Sequence, residues 1–192
     1  VHHHMDWGGV KADLVKRTGL SRQETRFAPK QHSFLINLQG EARIGEDFIE
    51  GRRIAFTPRR RGSIVFVPAR SEWSGWDEGD MTGSYLLVTI DSTYIARSLG
   101  CEHLVGLKPI IGFRDSVIEA ALQIIGSELL HPADVSRMMV KSQAIHLFVR
   151  LLRMHLLDLG TVRGGLSAFD LNSVIAMMEA CLAPPLGPGG LA

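Results

Sequence analysis

The chain has 192 residues, of which 45% are apolar and 21% are charged, and its formal net charge is +1. This composition is that of an ordinary globular protein with one sizeable core, and the charge excludes a global electrostatic attraction to nucleic acid or anionic lipid. No apolar run approaches the roughly 20 residues of a membrane helix, so we expect no membrane partner. Cys101 and Cys181 stand outside any CxxC spacing; we interpret them as buried thiols in a reducing cytoplasm.

The chain up to residue 91 is predicted to be a β domain. Residues 1–5 contain the histidine run of a purification tag and are left out of the predicted fold, and residues 11–18 are predicted to form a short helix. From residue 23 onward, short apolar runs end at Gly or Pro turns, which is typical of a sandwich or small barrel. The predicted strands are 24–27, 32–38, 42–44, 48–49, 54–57, 64–67 and 83–90, with a turn at 45–47.

Two of these strands have the clearest patterns. In the first, Phe34 and Ile36 share one face, while Leu35 and Asn37 share the other, since side chains alternate along a strand. The second, residues 64–67, is apolar throughout and is therefore predicted to be buried on both faces.

After Asp91 the apolar spacing becomes that of helices. Residues 92–99 are predicted to form a short helix, and a longer one begins at 112–114. It ends before Pro132, because proline has no N–H and clashes with the preceding turn. A second long helix is predicted from about 133 to 159. The apolar stripe of the first long helix is Ile118, Leu122, Ile125 and Leu129.

Residues 92–160 are predicted to be an antiparallel helical hairpin that also forms a dimerisation region. The second long helix has an apolar face broad enough to contact both the β domain and a partner chain, so we expect a homodimer. The alternative is that both faces pack within one chain. The predicted dimer interface consists of Met138, Ile145, Val149, Leu152 and Leu156.

The stretch from Gly62 to Asp77 combines a buried strand, a proline corner and an aromatic residue that turns inward. Its spacing resembles the second signature of the cupin barrel, with Gly62 and Pro68 at matching positions. Arg70 stands where the signature has its second Gly, and Trp73 and Asp77 replace its His and Asn. The resemblance implies an α+β fold in which a cupin-like small β-barrel is followed by the helices.

The metal site of cupins is predicted to be absent. An indole has no lone pair to offer a metal, so Trp73 cannot act as the ligand histidine does. Upstream of Gly40, where the first signature has two histidines and a glutamate, this sequence has Phe27, Pro29 and Ser33. The sequence therefore predicts neither a metal nor another cofactor.

Residues 161–192 have a Gly pair, a Ser N-cap, one apolar stripe and a terminal Pro pair. They resemble the linker helix before the helix-turn-helix region of AraC/XylS-type transcriptional regulators, whose first DNA-binding helix opens with Leu-Ala, as at 191–192. The matching residues are Gly164, Gly165, Leu166, Ser167, Leu171, Val174, Met178, Glu179, Leu182, Pro185 and Leu186.

The order of barrel, helices and linker helix resembles the regulatory half of such a regulator from about residue 20 onward. It implies a non-enzymatic protein that senses a small-molecule effector in the barrel (6–91) and dimerises through 92–160. Promoter DNA would be bound only through the missing helix-turn-helix motifs, because a recognition helix in the major groove reads the bases. We therefore expect a truncated chain that senses and dimerises.

The resemblance implies an effector pocket in the barrel, and a barrel of this size holds one small ligand. Alternatives are open: Trp73 as a core aromatic, His32 as a structural histidine, and Asn37 as a solvated side chain. The arginines at 59–61 are predicted to form a solvated hairpin turn. By position, the candidate ligand-binding residues are Trp73, Trp76, His32, Asn37 and Tyr85.

The competing hypothesis is a cupin-fold enzyme, an isomerase or a dioxygenase. Such an enzyme needs a metal or an acid–base pair inside the barrel. The altered signatures argue against the metal, and the predicted strands point no paired carboxylates into the interior.

Overall fold

The structure, a computed structural model, describes residues 3–18, 22–100 and 106–161, with side chains up to residue 155. The predicted linker helix therefore lies outside the described residues. The strands are β1 His3–Asp6, β2 Val10–Thr18, β3 Arg22–Phe27, β4 His32–Gln39, β5 Ala42–Ile49, β6 Arg52–Ile54, β7 Ile64–Val67, β8 Trp73–Gly79, β9 Thr82–Ile90 and β10 Ile110–Phe113. The helices are α1 Ser92–Leu99, α2 Ser116–Leu130 and α3 Ser136–Thr161.

The strands form two antiparallel sheets rather than the closed barrel that the sequence predicts. One sheet has six strands in the order β1-β2-β9-β4-β7-β10, and the other has four in the order β3-β8-β5-β6. A single bridge between Ala42 and Arg59 adds a further backbone contact beside β5. The architecture is a sandwich of two β-sheets with helices, consistent with the predicted α+β class.

The six-stranded sheet has one face toward the helices and one toward the second sheet. Phe34 pairs with Val88 on the helix side, and Leu35 pairs with Leu87 on the other. The alternation predicted for β4 is confirmed, because Phe34 is fully buried whereas Leu35 lies beside the second sheet. All four residues of β7 are buried, as their unbroken apolar run predicts.

Most of the buried apolar surface lies between the six-stranded sheet and the helices. The predicted stripe of α2 is buried there in full, and α3 packs against α2 and the sheet. By contrast, the buried cluster between the two sheets is small, comprising Val65, Val67 and Trp73. The helix-side cluster includes Phe34, Ile36, Phe66, Leu86, Val88, Ile118, Leu122, Ile125, Leu129, Val140, Ala144, Leu147, Phe148 and Leu151. The fold is therefore stabilised mainly outside the space between the sheets, which leaves that space available for a ligand.

The start of α2 is tied to the interior of α3 by one ion pair. Asp115 caps α2 by accepting hydrogen bonds from the backbone N–H groups of Val117 and Ile118. Arg150 of α3 donates to the same carboxylate, from Nε at 2.9 Å and from Nη2 at 2.7 Å. This contact holds the pKa of Asp115 below its usual value. None of the described helices is both long and apolar enough to cross a membrane.

The N-terminal residues take part in the six-stranded sheet, contrary to expectation. Residues 3–5, set aside as part of a tag, lie within β1, and residues 11–18, predicted as a helix, lie within β2. β2 pairs with β9 along its whole length, from Val10 opposite Ile90 to Thr18 opposite Thr82. These pairings override a local pattern that was compatible with a helix.

Other boundaries also differ from the prediction, such as that of β6, which covers Arg52–Ile54 rather than residues 54–57. Residues 45–47 are not a turn, because β5 runs through Gly45, which packs against the carbonyl oxygen of Trp76 where a Cβ would not fit. Strand β8, which the sequence analysis did not predict, pairs with both β3 and β5. Residues 110–113 pair with β7 instead of starting a helix, and α2 begins after Asp115, its cap.

A candidate ligand cavity between the two sheets

A cavity of about 300 Å³ lies between the two sheets. Phe27 and Trp73 line it from the four-stranded sheet, and Leu35, Val65 and Leu87 line it from the six-stranded sheet. Its polar lining includes Arg17, Asn37, Arg59, Asp77 and Tyr85. A concave site with an apolar wall and a few polar groups is the usual form of a small-molecule site.

Strand alternation places these side chains. In β9, Tyr85 and Leu87 face the cavity, while Leu86 between them belongs to the helix-side core. In β8, Trp73 and Asp77 are four residues apart and therefore share the inner face. Gly75 between them lies against the backbone of Glu46, where a Cβ would not fit. A glycine at this position lets β8 and β5 approach closely beneath the cavity.

Arg59 is the centre of a buried ion-pair network at the cavity wall. Its Nη1 donates to both oxygens of Asp47, at 3.1 and 2.9 Å, and its Nη2 donates to Asp77 Oδ2 at 2.8 Å. The indole N–H of Trp73 donates to Asp47 Oδ1 at 2.9 Å, and the Arg59 guanidinium lies 5.5 Å from the centroid of the Trp73 ring. The three charged residues are at most 9% exposed. Buried charges are tolerated when they are paired in this way.

The second oxygen of Asp77 is not satisfied. Oδ1 is buried and has no hydrogen-bond partner among the described residues. Nη2 of Arg17 lies 3.7 Å away, an ion-pair distance beyond hydrogen-bond range. A buried acceptor without a donor costs free energy, so this oxygen is a point at which a ligand can gain a contact.

Two more polar side chains complete the lining. Nδ2 of Asn37 donates to the carbonyl oxygen of Gly40 at 2.6 Å. Burial raises the pKa of the Tyr85 phenol, and the positive charge of Arg17 opposes that rise. Tyr85 therefore remains a protonated phenol at neutral pH and lies near Arg17.

The structure brings together three of the five predicted ligand-binding residues, Trp73, Asn37 and Tyr85, in the lining of the cavity. Trp76 does not line the cavity. The alternation of β8 puts it on the outer face, where Arg22 stacks 4.2 Å from its ring centroid and its indole N–H donates to Glu46 at 3.2 Å.

His32 also lies away from the cavity. It is buried on the helix side of the six-stranded sheet, and its ring centroid is 5.1 Å from that of Phe148. Its Nδ1 accepts a hydrogen bond from the backbone N–H of Ala69 at 3.2 Å. Burial lowers the pKa of His32 to about 4, with a small opposing effect from Asp91. These contacts are those of a structural histidine, the alternative left open by the sequence.

Sequence reasoning missed the ion-pair network. The arginines at 59–61 were predicted to form a solvated turn, and this holds for residues 60 and 61 but is wrong for Arg59. The expectation of no paired carboxylates inside was also wrong, since Asp47 and Asp77 both point inward. For Asp77, the sequence signal was its position four residues after Trp73, because residues four apart in a strand share one face. Asp47 carried no such signal, because Gly45 suggested a turn.

The described residues hold no cluster of three or more His, Cys, Asp or Glu side chains that could bind a metal ion. Trp73, which the sequence resemblance places at the position of the cupin ligand histidine, donates its indole N–H to Asp47.

No protein-family model and no curated protein matches the chain. Among solved structures, an apo lysine-to-alanine variant of ToxT from Vibrio cholerae is similar, with a TM-score of 0.57, 11% identity and coverage of 90% of this chain and 65% of ToxT. Wild-type ToxT with a bound unsaturated fatty acid gives a TM-score of 0.54 at 11% identity, covering 76% of this chain and 55% of ToxT. A cupin superfamily protein from Desulfitobacterium hafniense gives 0.36 at 14% identity, over 47% of this chain and 76% of its own. The chain thus shares its fold with ToxT and spans less than two thirds of the ToxT chain.

Proposed function

We propose that this chain is the effector-sensing and dimerisation part of an AraC/XylS-type transcriptional regulator and that it binds a small molecule in the cavity between its sheets. The observation that carries the proposal is the cavity itself: about 300 Å³ in volume, lined from both sheets, with the main core located elsewhere. The protein acts in the cytoplasm, and promoter DNA is bound by a separate helix-turn-helix domain.

Two further observations support a regulator. ToxT, which has the same fold, is an AraC-family regulator, and one of its structures contains an unsaturated fatty acid. Independently of the fold, the sequence of residues 161–192 resembles the linker helix of that family. Effector binding would shift the equilibrium between two arrangements of the DNA-binding domains, since a ligand favours the state that it binds better.

Dimerisation through α3 is part of the same proposal. The buried face of α3 consists of Val140, Ala144, Leu147, Phe148 and Leu151. The predicted interface lies largely beside this face: Met138 is 75% exposed, and Val149 and Leu152 are half-buried. Ile145 packs partly against the core, and the side chain of Leu156 lies outside the described residues. An apolar surface of this kind is available to a second copy of the chain.

An enzyme is the second candidate, because two inward carboxylates, Asp47 and Asp77, are present after all. General acid–base catalysis needs a group that can exchange its proton with a substrate. Here both carboxylates bind the same guanidinium, and Asp47 also accepts from Trp73. This arrangement suits a fixed binding wall better than proton transfer, so we favour the sensor.

The test is a thermal-shift screen of a panel of small molecules against the wild-type chain and two variants. Leu87→Trp fills the cavity, whereas Ile44→Trp places the same indole at a position that is 56% exposed. We expect at least one compound to raise the melting temperature of the wild type and of Ile44→Trp but not of Leu87→Trp. Stabilisation of all three proteins alike, or of none, would contradict a ligand-binding cavity.

A further inference from the structure

We propose that the ligand presents a hydrogen-bond donor, a hydroxyl or an ammonium group, to Oδ1 of Asp77, and that its body is apolar and compact. This inference rests on the proposed function and specifies the chemical class of the effector. It predicts that the ligand of this cavity is not a carboxylate such as a fatty acid.

Asp77 is 5% exposed, lines the cavity, and has one oxygen bound to Arg59 and the other without a donor. Because Asp77 is an ionised carboxylate paired with a guanidinium, it has no O–H group, and Oδ1 can only accept a hydrogen bond. A ligand hydroxyl or ammonium group supplies the missing donor, whereas a ligand carboxylate supplies another acceptor.

The ion-pair network has a net negative charge. Asp47 and Asp77 together carry two negative charges, and Arg59 carries one positive charge. Arg17 is the nearest further cation, and its side chain is 24% exposed and 3.7 Å from Asp77. A ligand carboxylate bound at Arg17 would therefore stand close to Asp77, and two like charges at such a distance repel in a poorly solvated site.

Arg17 lies beside Oδ1 of Asp77 but beyond hydrogen-bond distance of it. A ligand donor that displaces the Arg17 guanidinium therefore replaces an ion-pair contact. It breaks no hydrogen bond to Asp77. Gly83, opposite Arg17 in the sheet, has no side chain, and the Arg17 side chain occupies that space.

The apolar lining of the cavity indicates the chemistry of the ligand's body. Five apolar side chains, two of them aromatic, line the cavity beside its polar residues: Phe27, Trp73, Leu35, Val65 and Leu87. Glu24, Arg26 and Glu41 are among the further polar residues of the lining. The cavity volume is at the lower end of the range for small-molecule sites. A single ring with one short polar arm matches the volume, with the ring against these apolar side chains and the arm at Asp77.

The test uses four probes of one shape: benzylamine, benzyl alcohol, benzoate and toluene. Dissociation constants are measured by NMR titration of the whole chain. We expect benzylamine and benzyl alcohol to bind about tenfold more tightly than benzoate, because each can donate a hydrogen bond to the carboxylate whereas benzoate offers only acceptors. Toluene binding reports the apolar wall alone.

Two variants test whether the preference for donor-bearing probes comes from Asp77. Asp77→Asn keeps the shape but removes the charge, and we expect it to weaken benzylamine binding about tenfold with little change for toluene. Glu78→Gln, the neighbouring acid, which does not line the cavity, should leave all four affinities unchanged. If Asp77→Asn does not fold, Arg17→Gln replaces it; removal of the competing guanidinium should tighten benzylamine binding.

The outcomes separate the two proposals. Tighter binding of benzoate than of benzylamine and benzyl alcohol, or affinities that respond to neither Asp77→Asn nor Arg17→Gln, would overturn the donor assignment and leave the sensor in place. If none of the probes binds, or if Leu87→Trp binds all of them as the wild type does, both the donor assignment and the ligand cavity are wrong.

Discussion

Both carboxylate oxygens of Asp47 accept a hydrogen bond from Nη1 of Arg59, at 3.1 and 2.9 Å. Asp47 is 1% exposed, and the same guanidinium holds Asp77 through its other terminal nitrogen. One side chain thus connects the carboxylates of two neighbouring strands, β5 and β8, at the cavity wall. Removing one member of such a network leaves the others as unpaired buried charges.

We therefore expect Arg59→Met to lower the free energy of unfolding by about 3–5 kcal/mol. The matched control is Arg60→Met, the next arginine of the run, which is exposed and should change stability by less than about 0.5 kcal/mol. Urea unfolding at neutral pH measures both. Similar losses in the two variants would show that the buried network does not carry the stability that its geometry suggests.

The stability of the fold should depend on pH through His32. Burial lowers its pKa to about 4 from a model-compound value of 6.5, so the unfolded chain takes up a proton in this range while the native chain does not. The contribution of His32 is therefore complete above pH 6.5 and is lost as the pH falls toward 4. The loss is at most about 3 kcal/mol, from roughly 1.4 kcal/mol per pKa unit.

The variant that checks this is His32→Gln, which retains an acceptor for the N–H of Ala69 and cannot titrate. Its free energy of unfolding should fall less between pH 6.5 and 4 than that of the wild type. His131→Gln, at an exposed position after α2, is the control and should keep the wild-type slope. Parallel pH profiles for wild type and His32→Gln would contradict the assignment.

The backbone of Arg70 has a positive φ of 69°, and its N–H donates to the carbonyl oxygen of Pro29 at 2.8 Å. The cupin signature has Gly at this position, and a side chain in the left-handed region costs about 1–2 kcal/mol. Because Gly also loses more backbone entropy on folding, we expect Arg70→Gly to stabilise the chain by about 0.5–1 kcal/mol. Arg70→Ala keeps a Cβ and should give no gain; if it is the more stable variant in urea unfolding, the account of strain is wrong.

The dimer proposal predicts that Leu152→Asp yields monomers, because a charge in an apolar interface loses its water without gaining a partner. Ser127→Asp, at an exposed polar position of α2, is the control and should remain dimeric. Sedimentation velocity of the purified proteins distinguishes the two states. A dimeric Leu152→Asp protein with native secondary structure would place the interface elsewhere.

Much of the fold could be predicted from periodicity. The alternation in β4 identified its two faces, and the stripe of α2 identified the side that packs on the sheet. The bounds of α1 were predicted without error, at 92–99. In these segments local pattern and tertiary burial agree, so the sequence is sufficient.

The remainder depends on contacts distant in sequence. Residues 11–18 form a strand because β9 pairs with them, and 110–113 form a strand because β7 does. Arg59 belongs to a run of three arginines, and the charge of that run predicts exposure to solvent. Only the pairing of β5 with β8 places two carboxylates, Asp47 and Asp77, within hydrogen-bond distance of it. His32 and Trp76 were chosen by position in the chain, and the face of the strand on which each lies excludes them from the cavity.

The most direct test of the account is a native mass spectrum of the purified wild-type chain and of Leu87→Trp, each recorded before and after gentle activation. We predict that the wild type carries a small organic mass in stoichiometric amount that leaves on activation, and that the cavity-filled variant lacks it. The same adduct on both proteins, or a stoichiometric transition metal on the wild type, would contradict a small-molecule sensor.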